Sequence, residues 1–352
     1  MSPAYLLHIT GGELRSLSHS RPISQVMSKE GTAPDIVRKL ELVQQVRVYA
    51  RDCVGLSVGR AYTYYEDNAK GPVAYAVSGA CRDRLEPYQW TYPVIGVYEA
   101  KGFFDSSLAD KEAQRLRSKG YDATVSEVSG FSTLGVLPDP IRASNLQADD
   151  IDVAMLVVHE LTHNTIFKPS DTQFNESMAT FVGRVAAQGF FRSTFVRASP
   201  EAAAVDRRVA DLKVIDSFVT DLHERLTALY CRPISRQEKI SRREEVFTEH
   251  QRRFSAAYQP LLNDPKAYES SIKVACDNAT LMAAYRYHNR SDLDLFTKVY
   301  ATLNGDARAM IKLLRVAARQ RDSFAYLRGW LSRCVPAAEP DGPSPVCGGW
   351  AQ

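Results

Sequence analysis

Apolar residues recur every three or four positions near the start of the chain, which is the spacing of an amphipathic helix. This pattern predicts helices over Tyr5–Met27 and Asp35–Cys53. Short β-branched or aromatic runs bounded by glycine and proline follow them and are typical of strands. The predicted strands are Val73–Val77, Tyr92–Tyr98 and Ala123–Val128, with a helix over Ser107–Lys119 between the last two.

Long helical periodicity begins near Asp149 and continues through the second half of the chain. Prolines at positions 200, 233, 260 and 265 mark the predicted breaks between its helices. The fold class is therefore α+β, with a small N-terminal sheet and helices followed by a mainly helical region. We expect an α+β part over residues 1–148, a helical part over 149–334 and a tail over 335–352.

The composition of the 352 residues, 45% hydrophobic and 24% charged, allows a full core and excludes a disordered chain. A net charge of +3 provides no strong field for nucleic acid. Charges of both signs fill Ser235–Arg253 at a spacing of four, which predicts a solvated helix face. We therefore expect no nucleic-acid partner.

Six cysteines occur without any CxxC spacing, so a cysteine-based zinc site is not predicted. Cys334 and Cys347 flank a segment rich in proline and glycine. A disulfide between them would close a loop of about fourteen residues and stabilise the fold by roughly 3 kcal/mol in an oxidising compartment. Free, half-buried thiols are the alternative interpretation.

The most informative motif is HExxH, formed by residues 159–163 directly after the apolar run Val153–Val158. If this run is helical, His159 and His163 lie one turn apart on the same face. Both imidazoles can then bind one zinc ion at about 2.0–2.1 Å. Glu160 lies between them and can act as a base toward a water whose pKa the metal has lowered.

A catalytic zinc site needs a third protein ligand, and Glu176, twelve residues after His163, is the candidate. Lys168–Asp171 provides a helix stop and a restart, capped by Ser170, Asp171 or Thr172. The spacing thus predicts a helical hairpin whose two arms face the metal, with small residues at 177 and 179–180 for close packing.

A chance match is the alternative explanation, since an HExxH string arises in about one sequence in a hundred of this composition. Burying two imidazoles and a carboxylate without a partner would cost several kcal/mol, however, and a metal ion satisfies all three. The helical context and the downstream glutamate together predict zinc hydrolase chemistry, with one zinc ion per chain.

At these residues the chain resembles the bacterial zinc aminopeptidases of the gluzincin group, with an HExxH-x12-E pattern, Asn175 before the glutamate and Ala179-Thr180 after it. The likeness extends over roughly residues 4 to 320. Other residues that resemble the family are Tyr5, Gly12, Leu14, Pro22-Ile23, Tyr92-Pro93, Gly96, Gly102-Phe103-Phe104, Ser132-Thr133-Leu134-Gly135, Asp139-Pro140, Asn278-Ala279 and Leu281.

The resemblance implies that His159, His163 and Glu176 are the metal ligands and that Glu160 is the catalytic base. It makes Asn175 a candidate to support the ligands from behind. Many gluzincins have an acidic residue four positions after the ligand glutamate, where this chain has Thr180. A hydroxyl there could accept the imidazole N–H, but would raise ligand basicity less than a carboxylate.

Peptide hydrolysis also requires groups that contact the substrate. Tyr285, Tyr287 and His288 form a cluster from which Tyr287 or His288 is expected to stabilise the developing oxyanion; ordinary half-buried aromatic residues are the alternative. An aminopeptidase must also bind the free α-amine with a carboxylate, for which Glu99 and Glu127 are candidates. Residues 132–135 could align an extended peptide or form a simple turn.

The expected activity is zinc-dependent aminopeptidase action on a peptide substrate. The alternatives are a zinc endopeptidase of the same chemistry and a non-catalytic, metal-containing binding protein. Family members commonly begin with a lipoprotein signal that ends just before the position of Met1 here. The resemblance therefore implies a periplasmic or membrane-anchored lipoprotein, tethered through a lipidated precursor; a true start at Met1 implies a cytoplasmic protein.

Overall fold

The computed structural model describes residues 16–67, 72, 74–93, 96–128, 138–195 and 199–334. Within them helices dominate and strands are short, so the predicted α+β class is confirmed. The predicted helix start at Tyr5, the segment over residues 132–135 and the tail after residue 334 lie outside the described residues. The pairing of Cys334 with Cys347 therefore stays a prediction.

The first described elements differ from the predicted helix over Tyr5–Met27. Strand β1 (Ser20–Pro22) interrupts it and pairs antiparallel with β2 (Tyr64–Glu66), and only α1 (Ile23–Ser28) is helical after that. Pro22 has extended backbone angles, and its ring cannot continue a helix from the preceding residues. That part of the prediction is wrong.

The second predicted helix is confirmed as α2 (Pro34–Tyr49), which continues as a π-helical turn over Ala50–Val54. Gly55 ends this turn in the left-handed region with φ 86°. Strand β2 also pairs in parallel with β8 (Ile141–Arg142), which brings the chain back to α2 just before the helical half begins.

The larger sheet has β3 (Ala74–Cys81) at its centre, paired antiparallel with β6 (Lys101–Phe103) and β7 (Tyr121–Val128). The predicted helix between the last two strands is confirmed as α3 (Ser106–Ser118). Its Leu116 is fully buried in an apolar cluster with residues of this sheet. This layer is the small sheet that the pattern of short strands predicts.

The predicted strand over Tyr92–Tyr98 is wrong, because this stretch forms a hairpin of two short strands. These are β4 (Trp90–Tyr92) and β5 (Gly96–Tyr98), paired antiparallel. Gly96 has φ 76°, a conformation that side chains with a Cβ rarely adopt. Pro93 follows β4 and cannot donate to a ladder, so the strand ends there.

The second half is helical, as predicted. Its helices are α4 (Asp150–Thr165), α5 (Thr172–Thr194), α6 (Pro200–Tyr230), α7 (Arg236–Arg253), α8 (Asn278–His288), α9 (Arg290–Thr302), α10 (Ala307–Ala318) and α11 (Ser323–Cys334). Pro200 and Pro265 stand at the first position of a helical element, where a missing N–H costs nothing. Among the described residues, no helix is both long and apolar enough to span a membrane.

Three apolar clusters form the core. The largest surrounds α4 and α5 and includes residues of α2 and of the C-terminal helices. A second lies between α6 and α7, and the third lies beneath the larger sheet. Helices α4 and α5 therefore lie within the largest apolar cluster, while the division of the chain at residue 148 stays a prediction.

Helix α7 was expected to be a solvated face, and Arg243 is an exception. Its side chain is only 3% exposed and donates two hydrogen bonds, of 2.5 and 3.0 Å, to Asp122 on β7. A buried pair of this geometry holds two elements in a defined relation, because separating it would leave a charge unpaired. Arg243 thus ties the helical half to the sheet.

His250 at the end of α7 gives a test of this packing. Burial lowers the pKa of its fully buried ring from 6.5 to about 4, although Nε2 donates to the Phe218 carbonyl. Below pH 6.5 the unfolded chain therefore binds more protons than the folded protein, and the free energy of unfolding falls as the pH falls toward 4. We expect His250 alone to lower the free energy of unfolding by about 2–3 kcal/mol between pH 7 and pH 4.5.

Urea denaturation of the wild type and of His250→Gln at both pH values measures this contribution. Glutamine keeps an N–H donor but does not titrate in this range. The variant should lose less stability on acidification than the wild type; parallel losses in the two proteins would contradict the assignment.

Candidate functional site

The site is built on the hairpin of α4 and α5. Asp149 caps α4 by accepting a hydrogen bond from the Asp152 N–H, and Asp171 caps α5 by accepting one from the Phe174 N–H. Of the three cap candidates, the structure uses Asp171. Ser170 before it has φ 62°, which reverses the chain. The arrangement agrees with the helix stop and restart predicted over residues 168–171.

The two helices approach each other closely at Gly183 of α5. A Cβ there would lie 3.0 Å from the Met155 carbonyl oxygen and 3.7 Å from Cβ of His159. Glycine therefore lets the backbone of α5 lie directly against the helix that contains the HExxH motif. This close approach brings Glu176 within reach of both histidines.

His159, His163 and Glu176 converge as the spacing predicts. The two Nε2 atoms are 3.1 Å apart, and Oε2 of Glu176 lies 3.4 Å from that of His159 and 3.6 Å from that of His163. His163 and Glu176 are buried, at 8% and 4% exposure. The three side chains are thus a group that could hold a metal ion, with all ligand atoms within 4.8 Å.

These separations fit a small tetrahedral cation. Ligands bound at about 2.0–2.1 Å in tetrahedral geometry lie roughly 3.3–3.4 Å apart, close to all three observed distances. When both imidazoles are neutral, only one of the two facing Nε2 atoms can donate a proton to the other. The other lone pairs that face the centre of the triad then have no donor within it. Two imidazoles and one carboxylate form a donor set typical of catalytic zinc.

The electrostatics of the triad show strong coupling. Burial by itself would raise the pKa of Glu176, but the two imidazoles outweigh it and hold that pKa well below 4.5. Burial opposes protonation of His163, yet Glu176 raises its pKa above 6.5. The carboxylate is therefore ionised, and the pocket favours a positive charge at its centre.

The hairpin of β4 and β5 holds the carboxylate from the other side. The Tyr98 hydroxyl donates a 2.6 Å hydrogen bond to Oε1 of Glu176, which leaves Oε2 for the imidazoles. The Val97 N–H donates to Oγ of Ser170 at 3.0 Å, so the hairpin rests on the loop between α4 and α5. A Cβ on Gly96 would overlap Ser170, which explains the glycine. No local motif marks Tyr98, because this contact spans 78 residues.

Asn175, the candidate for support behind the ligands, instead supports the loop. Its side chain accepts from the Lys168 N–H at 2.9 Å and donates to the Lys168 carbonyl at 2.8 Å. Thr180 is half-buried and makes no hydrogen bond to either imidazole. Nδ1 of His163 is buried without a partner among the described residues, so the hydrogen-bond acceptor expected behind this imidazole is not found there.

The cluster at the end of α8 separates into three environments. The Tyr287 ring lies 6.1 Å from that of His159, and its hydroxyl interacts with Glu176. His288 instead places Nδ1 2.7 Å from Asp216, which Arg184 also binds. Tyr285 stacks on another histidine at 3.8 Å. The structure thus brings Tyr287 to the ligands and gives His288 a partner outside them.

Glu160 directly follows His159 on α4 and is half-buried. Its charge raises the pKa of His163, Tyr287 and Tyr62. Removal from water is the larger influence on both tyrosines, whose pKa values lie well above 10. Both phenols therefore remain protonated and can donate hydrogen bonds at neutral pH.

The two candidate amine-binding carboxylates differ sharply. Glu127 is exposed on β7, opposite Tyr75. Glu99 directly follows Tyr98, is half-buried, and forms no ion pair or hydrogen bond among the described residues. Burial raises its pKa above 4.5 and Glu176 adds to this, while the buried Arg286 opposes both. Glu99 is thus a half-buried carboxylate next to Tyr98 without an ion-pair partner among the described residues.

Comparison with known proteins agrees with the family resemblance. The model of a family described as "Putative aminopeptidase" matches residues 4–323, most of the chain. The chain therefore belongs to this aminopeptidase family. Neither curated proteins nor solved structures gave a significant match. Family membership indicates a peptidase, and the geometry above shows which residues lie together at its candidate site.

Asn175→Ala tests the loop that joins the two arms of the site. The substitution leaves the backbone groups of Lys168 without partners, so we expect the free energy of unfolding to fall by about 2–3 kcal/mol. Urea denaturation measures this change. Thr180→Ala on the same helix serves as the control and should cost less than about 1 kcal/mol, because no hydrogen bond is lost. Equal losses in both variants would contradict the role of Asn175.

Proposed function

We propose that the protein is a zinc-dependent aminopeptidase that hydrolyses peptides with one zinc ion per chain. His159, His163 and Glu176 would hold the ion. The observation that supports this most strongly is the spacing of their three ligand atoms, 3.1, 3.4 and 3.6 Å, in a site that also contains Glu160. A non-catalytic binding protein would not need a base beside the ligands.

Zinc held by these three residues would supply Lewis-acid chemistry: it would lower the pKa of a water molecule and polarise the scissile carbonyl. Glu160 accepts the proton of the attacking water and later transfers it to the leaving amine. Because Glu160 directly follows His159, its carboxylate lies near the proposed zinc ligands without being a ligand itself.

The Tyr287 hydroxyl is suited to donate to the carbonyl oxygen of the substrate. Its phenol remains protonated, since burial and the neighbouring Glu176 raise its pKa. The residue is nevertheless 36% exposed, so a substrate can reach it. A donor aimed at an oxygen that gains negative charge in the transition state accelerates acyl transfer.

Glu99 favours aminopeptidase over endopeptidase action. A half-buried carboxylate without an ion-pair partner attracts the protonated α-amine of a peptide, and the charge of the amine would compensate its burial. Because Glu99 follows Tyr98, which bonds to the ligand Glu176, an amine bound there lies near the metal site. The first peptide bond would then be the one that is cleaved.

Glu160→Gln tests the base. Glutamine keeps the size of the side chain but cannot accept the proton, so we expect kcat to fall about 10²–10⁴-fold while one zinc per chain remains. Turnover of an alanine or leucine anilide and metal analysis by mass spectrometry measure the two quantities.

Glu176→Ala is the matched variant, because it should lose zinc as well as activity. A Glu160→Gln protein with wild-type turnover would refute the assigned base. Wild-type zinc content in Glu176→Ala would refute the assigned ligand. A wild-type protein that binds zinc but cleaves no peptide would favour the non-catalytic alternative.

Glu99→Gln tests the choice of substrate. We expect KM for a free-amine peptide to rise about tenfold to a hundredfold, because a charge-assisted hydrogen bond is lost. Glu127→Gln provides the control and should leave KM unchanged, since Glu127 is exposed on the sheet. Comparable cleavage of an N-acetylated peptide by the wild type would instead indicate an endopeptidase.

A further inference from the structure

The β4–β5 hairpin carries a polar anchor on each of its two strands. Trp90 on β4 and Tyr98 on β5 lie directly opposite each other in the antiparallel register. Nε1 of Trp90 donates a 2.9 Å hydrogen bond to Glu112 on α3, and the Tyr98 hydroxyl donates a 2.6 Å hydrogen bond to Oε1 of Glu176 on α5. The hairpin therefore connects the helix beside the larger sheet with the helix that contains the third proposed zinc ligand.

Several polar contacts hold the Glu112 end of this connection. Glu112 accepts two hydrogen bonds of 2.8 Å from Arg115, and one of its oxygens lies 3.3 Å from Nζ of Lys101 on β6. The Glu112 side chain is 10% exposed and Trp90 is 8% exposed. Moving the hairpin away from α3 would break the bond between two largely buried groups, which is costly. Strand β4 is therefore a fixed base for the strand that contains Tyr98.

The loop between α4 and α5 fixes β5 from the other side. The Val97 N–H donates to Oγ of Ser170 at 3.0 Å. Gly96 and Ser170 both have positive φ, and a Cβ at position 96 would overlap the Ser170 side chain. The two chain segments thus approach each other more closely than any other residue at position 96 allows. Tyr98 follows this contact directly, so the β-ladder and the loop together determine where its side chain lies.

The hydrogen bond from Tyr98 has the length of a charge-assisted one. A hydroxyl that donates to an ionised carboxylate lies about 2.5–2.7 Å from it, and the observed distance is 2.6 Å. Glu176 is only 4% exposed, and its other oxygen, Oε2, lies 3.4 Å from Nε2 of His159 and 3.6 Å from Nε2 of His163. The two oxygens of this carboxylate therefore have separate partners, the phenol on one side and the imidazoles on the other.

We propose that Tyr98 is a positioning residue that holds Glu176 in its ligand orientation before the metal binds. This inference rests on the proposed function, which makes Glu176 a zinc ligand. Without the hydroxyl the carboxylate could rotate, and the entropy lost in ordering it would then oppose metal binding. Groups that orient metal ligands typically contribute a factor of about 10–100 to metal affinity. Because Oε1 is engaged by Tyr98, Glu176 offers only Oε2, which gives the three protein donor atoms of a catalytic zinc site.

Tyr98→Phe removes only the hydroxyl and keeps the ring. We expect the dissociation constant for zinc to rise about tenfold to a hundredfold at constant pH, because the Glu176 carboxylate must then be ordered when the ion binds. Competition with a chromophoric zinc chelator measures this constant. Far-UV circular dichroism of the same samples checks that the variant remains folded at the temperature of the measurement.

Tyr92→Phe is the matched control. Tyr92 lies on β4 of the same hairpin, but its hydroxyl donates to the Ala100 carbonyl at 2.8 Å instead of to a proposed ligand. This variant should keep the wild-type zinc affinity, whereas a merely structural role of both tyrosines would change both constants alike. Wild-type zinc affinity in Tyr98→Phe, or the same loss in both variants, would overturn the role of Tyr98 while the ligand assignment stands. A wild-type protein that binds no zinc would refute the proposed function itself.

Discussion

Everything at the candidate site depends on one buried carboxylate, that of Glu176, which faces two imidazoles across the closest approach of α4 and α5. Removing a carboxylate from water costs several kcal/mol unless cations or donors compensate it. Here compensation comes from His159, His163 and the Tyr98 hydroxyl. Separation of the helices would therefore leave the Glu176 carboxylate uncompensated, at a large cost in free energy. Gly183 permits this approach because it has no side chain to hold the helices apart.

The same constraint explains why the hairpin of α4 and α5 needs the strands that precede it. The β4–β5 hairpin supplies Tyr98, which engages one oxygen of Glu176 and leaves the other for the imidazoles. The two helices provide His159, His163 and Glu176, and the earlier hairpin limits how the Glu176 side chain can turn.

Helix α8 is held at both of its ends, which determines where Tyr287 lies. At the start, the Asn278 side chain donates to the Cys81 carbonyl at 2.8 Å and accepts from Tyr230 at 2.9 Å. At the end, His288 contacts Asp216 at 2.7 Å. Buried hydrogen-bond networks of this kind specify one arrangement, because any other leaves polar groups unpaired. Asn278, which resembles a family position, therefore acts through the placement of a helix.

The sequence alone determined that His159, His163 and Glu176 lie together, because the spacing of side chains on helices is a local property. Residues four apart share a helix face, and a proline-containing turn of known length returns the chain. The class of fold and most helices followed from the same short-range periodicity. Where local signals competed, prediction failed, as at Pro22 and Pro93, each of which ended an element that the apolar pattern continued.

Only the tertiary structure decided which residues surround the triad. Tyr98 reaches Glu176 across 78 residues, and neither its strand pattern nor its neighbours indicate the contact. Asn175 and Thr180 lie within four positions of Glu176, yet one holds a loop and the other contacts no imidazole. The direction of a side chain beyond its own helix depends on how distant elements pack, and sequence spacing contains no information about that packing.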